Sequence, residues 1–129
     1  MTTSILFILG RIIFSIYWLH AAYNHIFNSA GMVGYAQSKG VPHAKFAVIG
    51  TGVLLAIGGL SLLLGVWVNI GLSALAIFLI GVTFMMHAYW KDVDPMARMG
   101  NEINFWKNMA LLGAILMMFA LSTPWMYSL

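Results

Sequence analysis

Cysteine is absent from the 129 residues, which excludes disulfides, thiolate metal ligation and thiol–disulfide exchange by this chain itself. Charge is nearly as scarce. Asp, Glu, Lys and Arg make up 7% of the sequence, against about 25% in a soluble domain. The formal charge of +3 comes from few and scattered basic residues at membrane flanks, so it does not read as nucleic-acid affinity. No GxSxG, P-loop or GxGxxG motif occurs, and hydrolase, kinase and nucleotide-cofactor chemistry find no support. Heptads, low-complexity tracts and clear internal repeats are also missing. Met1-Thr2-Thr3-Ser4 carries no Lys or Arg and no small-residue cleavage site follows, so the first apolar run is expected to be an uncleaved span.

What remains is apolar. Hydrophobic residues form 62% of the chain and the mean hydropathy is +0.93, the signature of a chain built for a bilayer. At roughly 20 residues per span, the length predicts one all-α domain, an integral membrane four-helix bundle with antiparallel up-down topology. The spans are expected at about 4–27, 44–66, 70–89 and 105–124. Breakers Gly31, Gly34, Gly40 and Pro42 mark the first loop. The segment Trp90 to Asn104 reads as a charged loop broken by Pro95 and Gly100. Lys39, Lys45, Lys91, Arg98 and Lys107 sit in or beside loops one and three, so the positive-inside rule puts those loops in the cytoplasm and both termini outside. Trp125-Met126-Tyr127 reads as an interfacial anchor. Small residues Gly52, Ala56 and Gly59 in span two, Gly58 and Gly65 beside them, and Ala110, Gly113 and Ala114 in span four predict close helix packing in lipid.

Polar groups inside such spans are costly and read by default as functional or tightly paired. At about 100° per residue, Arg11, Ser15, Trp18, Ala22 and His25 share one stripe of span one, with Tyr17, His20 and Asn24 nearly opposite. An antiparallel bundle brings His20 and His25 to the level of His43, His87, Asn104 and Asn108, flanked by Trp90 and Trp106. Each has a plainer reading. His43 is solvated in its loop, His20 is satisfied by Asn24 or Tyr17, and His87 by the Thr83 hydroxyl. Arg11 snorkels to the outer interface, and Asn104 with Asn108 are interhelical glue. Three chemistries fit the constellation. A quinone's carbonyls want donors such as His20, Asn24, Asn108, Arg11 and Trp106. A bis-histidine haem wants His20 or His25 facing His87. A divalent metal wants three or more ligands, which the histidines with Glu102 could supply. None has a spacing signature, and no metal site is assigned.

Several short stretches together resemble a known pattern. They are Gly10-Arg11, Asn24-His25, Gly40-Val41-Pro42, the run Gly58-Gly59-Leu60-Ser61-Leu62-Leu63-Leu64-Gly65, and above all Asn104-Phe105-Trp106-Lys107-Asn108-Met109-Ala110-Leu111-Leu112-Gly113. On these the chain resembles the DoxX-like family of small four-helix bacterial membrane proteins, which includes the DoxD-type subunit of thiosulfate:quinone oxidoreductase. The resemblance implies an inner-membrane, quinone-linked redox or oxidoreductase-accessory role, often with a partner protein. Two positions depart from the pattern. His25 stands where many relatives have Lys or Arg, and Leu54, Leu55 and Ala56 fill a stretch where they carry an acidic residue. The charge pair between those helices is missing here. The expected site is a polar pocket at the cytoplasmic end that binds quinone through His20, Asn24, His25, His87, Trp106, Asn108 and Arg11, with haem as the second cofactor. Expected partners are membrane lipid, a protein subunit and a further copy of the chain, and no nucleic acid. A non-catalytic scaffold is the alternative.

Overall fold

The computed structural model describes residues 1–129 and contains only helices: α1 (Thr2–Phe27), α2 (Ala30–Ser38), α3 (Ala44–Leu64), α4 (Val68–Met86), a 3-10 turn at Tyr89–Lys91, and α5 (Pro95–Phe119). Three stretches are long and apolar enough to cross a membrane: Thr2–Phe27, Ala44–Leu64 and Val68–Lys91. The count of four helices is therefore corrected to five. The first loop hides the short α2, which no period in its Gly-rich sequence announces. The last helix begins at Pro95 rather than near Phe105. Its start is written locally, because the Asp94 side chain accepts from the Ala97 N–H at 2.9 Å and Pro95 takes the first helical position, where no N–H is needed. The part of the charged segment from Pro95 on, with Arg98 and Glu102, thus forms the opening turns of α5 instead of a loop.

The long helices pack in a row. α1 lies on α3, α3 on α4 and α4 on α5, while α2 caps α3 and the 3-10 turn rests on α5. Large rings bridge past α3: Trp18 of α1 meets Phe78 of α4 edge-on, with centroids 6.4 Å apart. One core joins Trp18 and Ala22 to Leu55 and Leu62 of α3, Leu72, Leu75 and Leu79 of α4, Ile115 of α5 and Trp125 of the tail.

Glycine sets the closeness of the first pair. A Cβ at Gly52 would come within 2.9 Å of His25 Cβ, and one at Gly59 within 2.8 Å of Leu19 Cγ. Those separations are below contact distance, so the seven-residue spacing of Gly52 and Gly59 matches the turn spacing of α1 and lets the backbones touch. Gly58 turns the other way and receives Leu75 of α4. The chain reverses after α3 at Gly65, whose φ of 72° is the left-handed helix end that glycine adopts without strain. Val68 starts α4 three residues on.

Candidate functional site

The sequence-predicted polar residues separate into three groups. The first is a ladder on α1. Asn24 Nδ2 lies 3.3 Å from His20 Nε2, and Asn28 Nδ2 donates to Asn24 Oδ1 at 3.3 Å. Spacing of four places all three on one face, and that face is outward, with His20 exposed and Asn24 half-buried. The amide donates to Nε2, so the imidazole proton resides on Nδ1 and its N–H is left free. A membrane helix thereby presents a donor sideways, between Tyr17 and Tyr23, which are also exposed.

The second group faces inward. His25 Nδ1 lies 3.0 Å from Thr51 Oγ1 and 3.3 Å from the Val48 carbonyl. Thr51 spends its own proton on the Val48 carbonyl at 2.7 Å, so His25 is the donor in both contacts. A hydrogen bond to a hydroxyl and a backbone carbonyl, with no carboxylate, thus links α1 to α3 in the region where the family pattern implied a charge pair. Leu55, completely buried, occupies the stretch where an acid was expected.

The third group closes the α2 end of the molecule. His87 Nδ1 donates to Asn101 Oδ1 at 3.1 Å, rather than meeting the Thr83 hydroxyl, which is buried without a partner. The Tyr35 hydroxyl lies 3.0 Å from the same Asn101 oxygen and 3.0 Å from the Met86 carbonyl. Asn101 Nδ2 donates to Asp92 Oδ2 at 2.7 Å, and Lys39 Nζ reaches Asp92 Oδ1 at 3.2 Å. The carboxylate can only accept, so it fixes which way the Asn101 amide points. Four segments are joined through Asn101, itself 8% exposed.

Electrostatics support the same clamp. The Asn101 hydrogen bond, with help from Lys39 and against some burial, holds the Asp92 carboxyl below its ordinary value. Burial works against the charge on Lys39, but the Asp92 hydrogen bond and the nearby Tyr35 and Asp92 charges outweigh it, and its ammonium is held more firmly than usual. Tyr35, Lys39, Asp92 and Asn101 escaped the sequence reading. The contacts of Tyr35 and Lys39 reach 51 to 66 residues along the chain, and the nine-residue separation of Asp92 and Asn101 matches no helical spacing.

The remaining candidates lie apart from these groups. Arg11 reaches the C-terminal tail, the stretch that reads as an interfacial anchor. Its guanidinium donates to the Met126 carbonyl at 2.7 Å and the Tyr127 carbonyl at 3.0 Å. It lines an apolar groove of about 330 Å³ with Phe7, Phe14 and Trp125. Asn108 is buried and Trp106 is 57% exposed, on opposite sides of α5. α5 packs on α4 and not along α1, and no hydrogen bond joins either residue to the His20 ladder. No three His, Asp or Glu side chains converge as a metal cage would require.

Apolar helices of spanning length, with polar side chains paired across them, define an integral membrane protein. Residues 6–88 match the DoxX family model, and the chain belongs to that family. It is 30% identical over 126 residues to the inner membrane protein YphA of Escherichia coli (strain K12), an alignment covering 97% of this chain and 88% of that one. No solved structure matches it. The family match contains Gly10-Arg11, the Asn24-His25 corner and the α3 glycines, and ends before α5. The Asn104 to Gly113 stretch, on which the resemblance leaned most, lies outside it.

Proposed function

We propose that the chain is an inner-membrane, quinone-linked redox or oxidoreductase-accessory subunit, whose quinone docks from the bilayer against His20 and Asn24 of α1. The observation that carries this reading is the outward ladder. Quinone carbonyls are acceptors that travel in the hydrocarbon region, and a free imidazole N–H flanked by two exposed tyrosines offers a donor and ring faces at that depth. The fit is good in chemistry, because His20 and Asn24 already orient each other. Asn108, Trp106 and His87 then serve packing rather than the head group. In this reading α1, α3, α4 and α5 form the antiparallel four-helix bundle, with α2 and the Asp92 clamp in the cytoplasm and both termini outside, as the basic residues favour. The inner membrane is the compartment named for YphA.

His20 has a single side-chain partner, so His20→Leu leaves little unpaired. The variant is expected to keep its unfolding temperature and lose quinone in a binding titration of the detergent-purified protein. Unchanged quinone binding would remove the assignment. A second reading, a non-catalytic scaffold, draws on the His25–Thr51 and Tyr35–Asn101 bonds, which hold helices together without exposing reactive groups. It expects no extractable quinone and a lowered unfolding temperature for His20→Leu. Haem carriage through His20 or His25 with His87 is tested by the Soret band of the same sample.

A further inference from the structure

α5 is two-sided. Its buried residues Asn101, Phe105, Asn108 and Ile115 form one stripe against α4. On the opposite side Met99, Ile103, Trp106, Ala110, Gly113 and Met117 recur at alternating intervals of three and four, and all six are exposed. This is the 3.5-residue spacing of a coiled-coil seam, a heptad pattern that the sequence alone does not announce, because Ala110 and Gly113 are small and the part before Asn104 reads as loop. Apolar exposure by itself means only lipid contact in a membrane, since lipid tails are as apolar as leucine. The charges beside the seam are what specify more. Glu102 and Lys107 flank it on either side, five residues apart. Neither forms an ion pair within the chain, and the only bond of Lys107 is a 3.5 Å contact to Asn104 Oδ1.

We infer that the free face of α5 is a homodimer interface, in which two copies pack seam to seam and Glu102 of each pairs with Lys107 of the other. The register follows from geometry. Copies inserted with the same topology present α5 in the same direction, so a two-fold contact is parallel. In parallel seams the residue just before an inner position meets the residue five further on in the partner, and Glu102 and Lys107 hold those two places. The opposite signs therefore meet twice by symmetry. Ala110 and Gly113 bring the backbones together where the seam enters the apolar half of the helix. A Cβ at Gly113 would meet nothing within 4 Å inside its own chain, so intrachain packing does not require the small residue there.

The cysteine-free chain makes the test direct. Single substitutions Ile103→Cys, Ala110→Cys and, on the exposed face of α1, Ile13→Cys are oxidised in native membranes and read as dimer on non-reducing gels. Ile103→Cys and Ala110→Cys should cross-link, while Ile13→Cys should not. Adding Gly113→Leu to Ile103→Cys should abolish the dimer without lowering the unfolding temperature, because the space is open. Glu102→Lys should weaken dimerisation by roughly tenfold, as two attractive pairs become repulsive, and Glu102→Lys with Lys107→Glu should restore it. Equal cross-linking at Ile13, none on α5, a dimer that survives Gly113→Leu, or no recovery in the charge swap would each overturn the interface.

Discussion

The two ends of the molecule are closed by different chemistry. At the end near Met1, one side chain grips backbone. Arg11 holds two tail carbonyls, and the Leu129 N–H returns to the Leu64 carbonyl at 3.1 Å. At the α2 end, side chains grip side chains through Asn101. Backbone acceptors exist whatever the residue, so the first closure tolerates changes in Met126 and Tyr127 but not in Arg11. The second depends on the identity of every member. Among side chains, Arg11 makes both hydrogen bonds from α1 to the backbone of the tail at one end, and the other end rests on a set.

Substitution at the hub breaks this contrast hardest. Asn101→Leu leaves the His87 imidazole without its acceptor and the Asp92 carboxylate without its amide donor, while Tyr35 keeps the Met86 carbonyl. A buried polar group left unpaired in this way costs about 1–3 kcal/mol. The expected loss is about 3 kcal/mol, read from chemical or thermal unfolding in detergent, with hydrogen exchange rising in α2 and not in the tail. Arg11→Met should cost less, about 2 kcal/mol, because the two freed carbonyls lie where water can reach them. Exchange should then rise around Leu129 and leave α2 protected. If either variant loosens both ends, the closures are not independent.

Acidity supplies the mildest test and acts on the α2 end alone. The Asp92 pKa is lowered from 3.8, so its contribution is complete above that unfolded value and fades as pH falls through the depressed folded one. The Lys39 pKa is raised from 10.5, so its contribution is complete below that value and fades as pH climbs through the raised folded one. Across the neutral range the clamp should be insensitive to pH. An α2 protection factor, with the intrinsic pH dependence of amide exchange divided out, that changes between about pH 6 and about 8 would show that some other group, outside this pair, governs the closure.

Much of the architecture could be read before any coordinates. Length and apolarity marked α1, α3 and α4, because a bilayer leaves the backbone few alternatives to helix. Gly52 and Gly59 announced the close pair. The start of α5 was misplaced although its signals were present, since Asp94-Pro95 is a cap followed by a permitted proline. Charge was read there as loop. Beginning α5 at Pro95 also places Asn101 in one stripe with Phe105 and Asn108, which would have marked it as an inward polar residue. The His20–Asn24 contact was visible as a four-residue spacing. The Asn101 clamp was not, because tertiary approach brings Tyr35 and Lys39 to it from a segment that looked like loop.

The reach of Arg11 has a consequence for synthesis. Its acceptors lie 115 and 116 residues further along the chain. At about 5–20 residues per second, they emerge from the ribosome on the order of ten seconds later. During that interval α1 carries a guanidinium with nothing of its own chain to bind, and water or lipid headgroups must hold it in place. Membrane insertion of the first helix and its final anchoring are therefore separate events, and a ribosome stalled before Met126 leaves α1 inserted but unfastened.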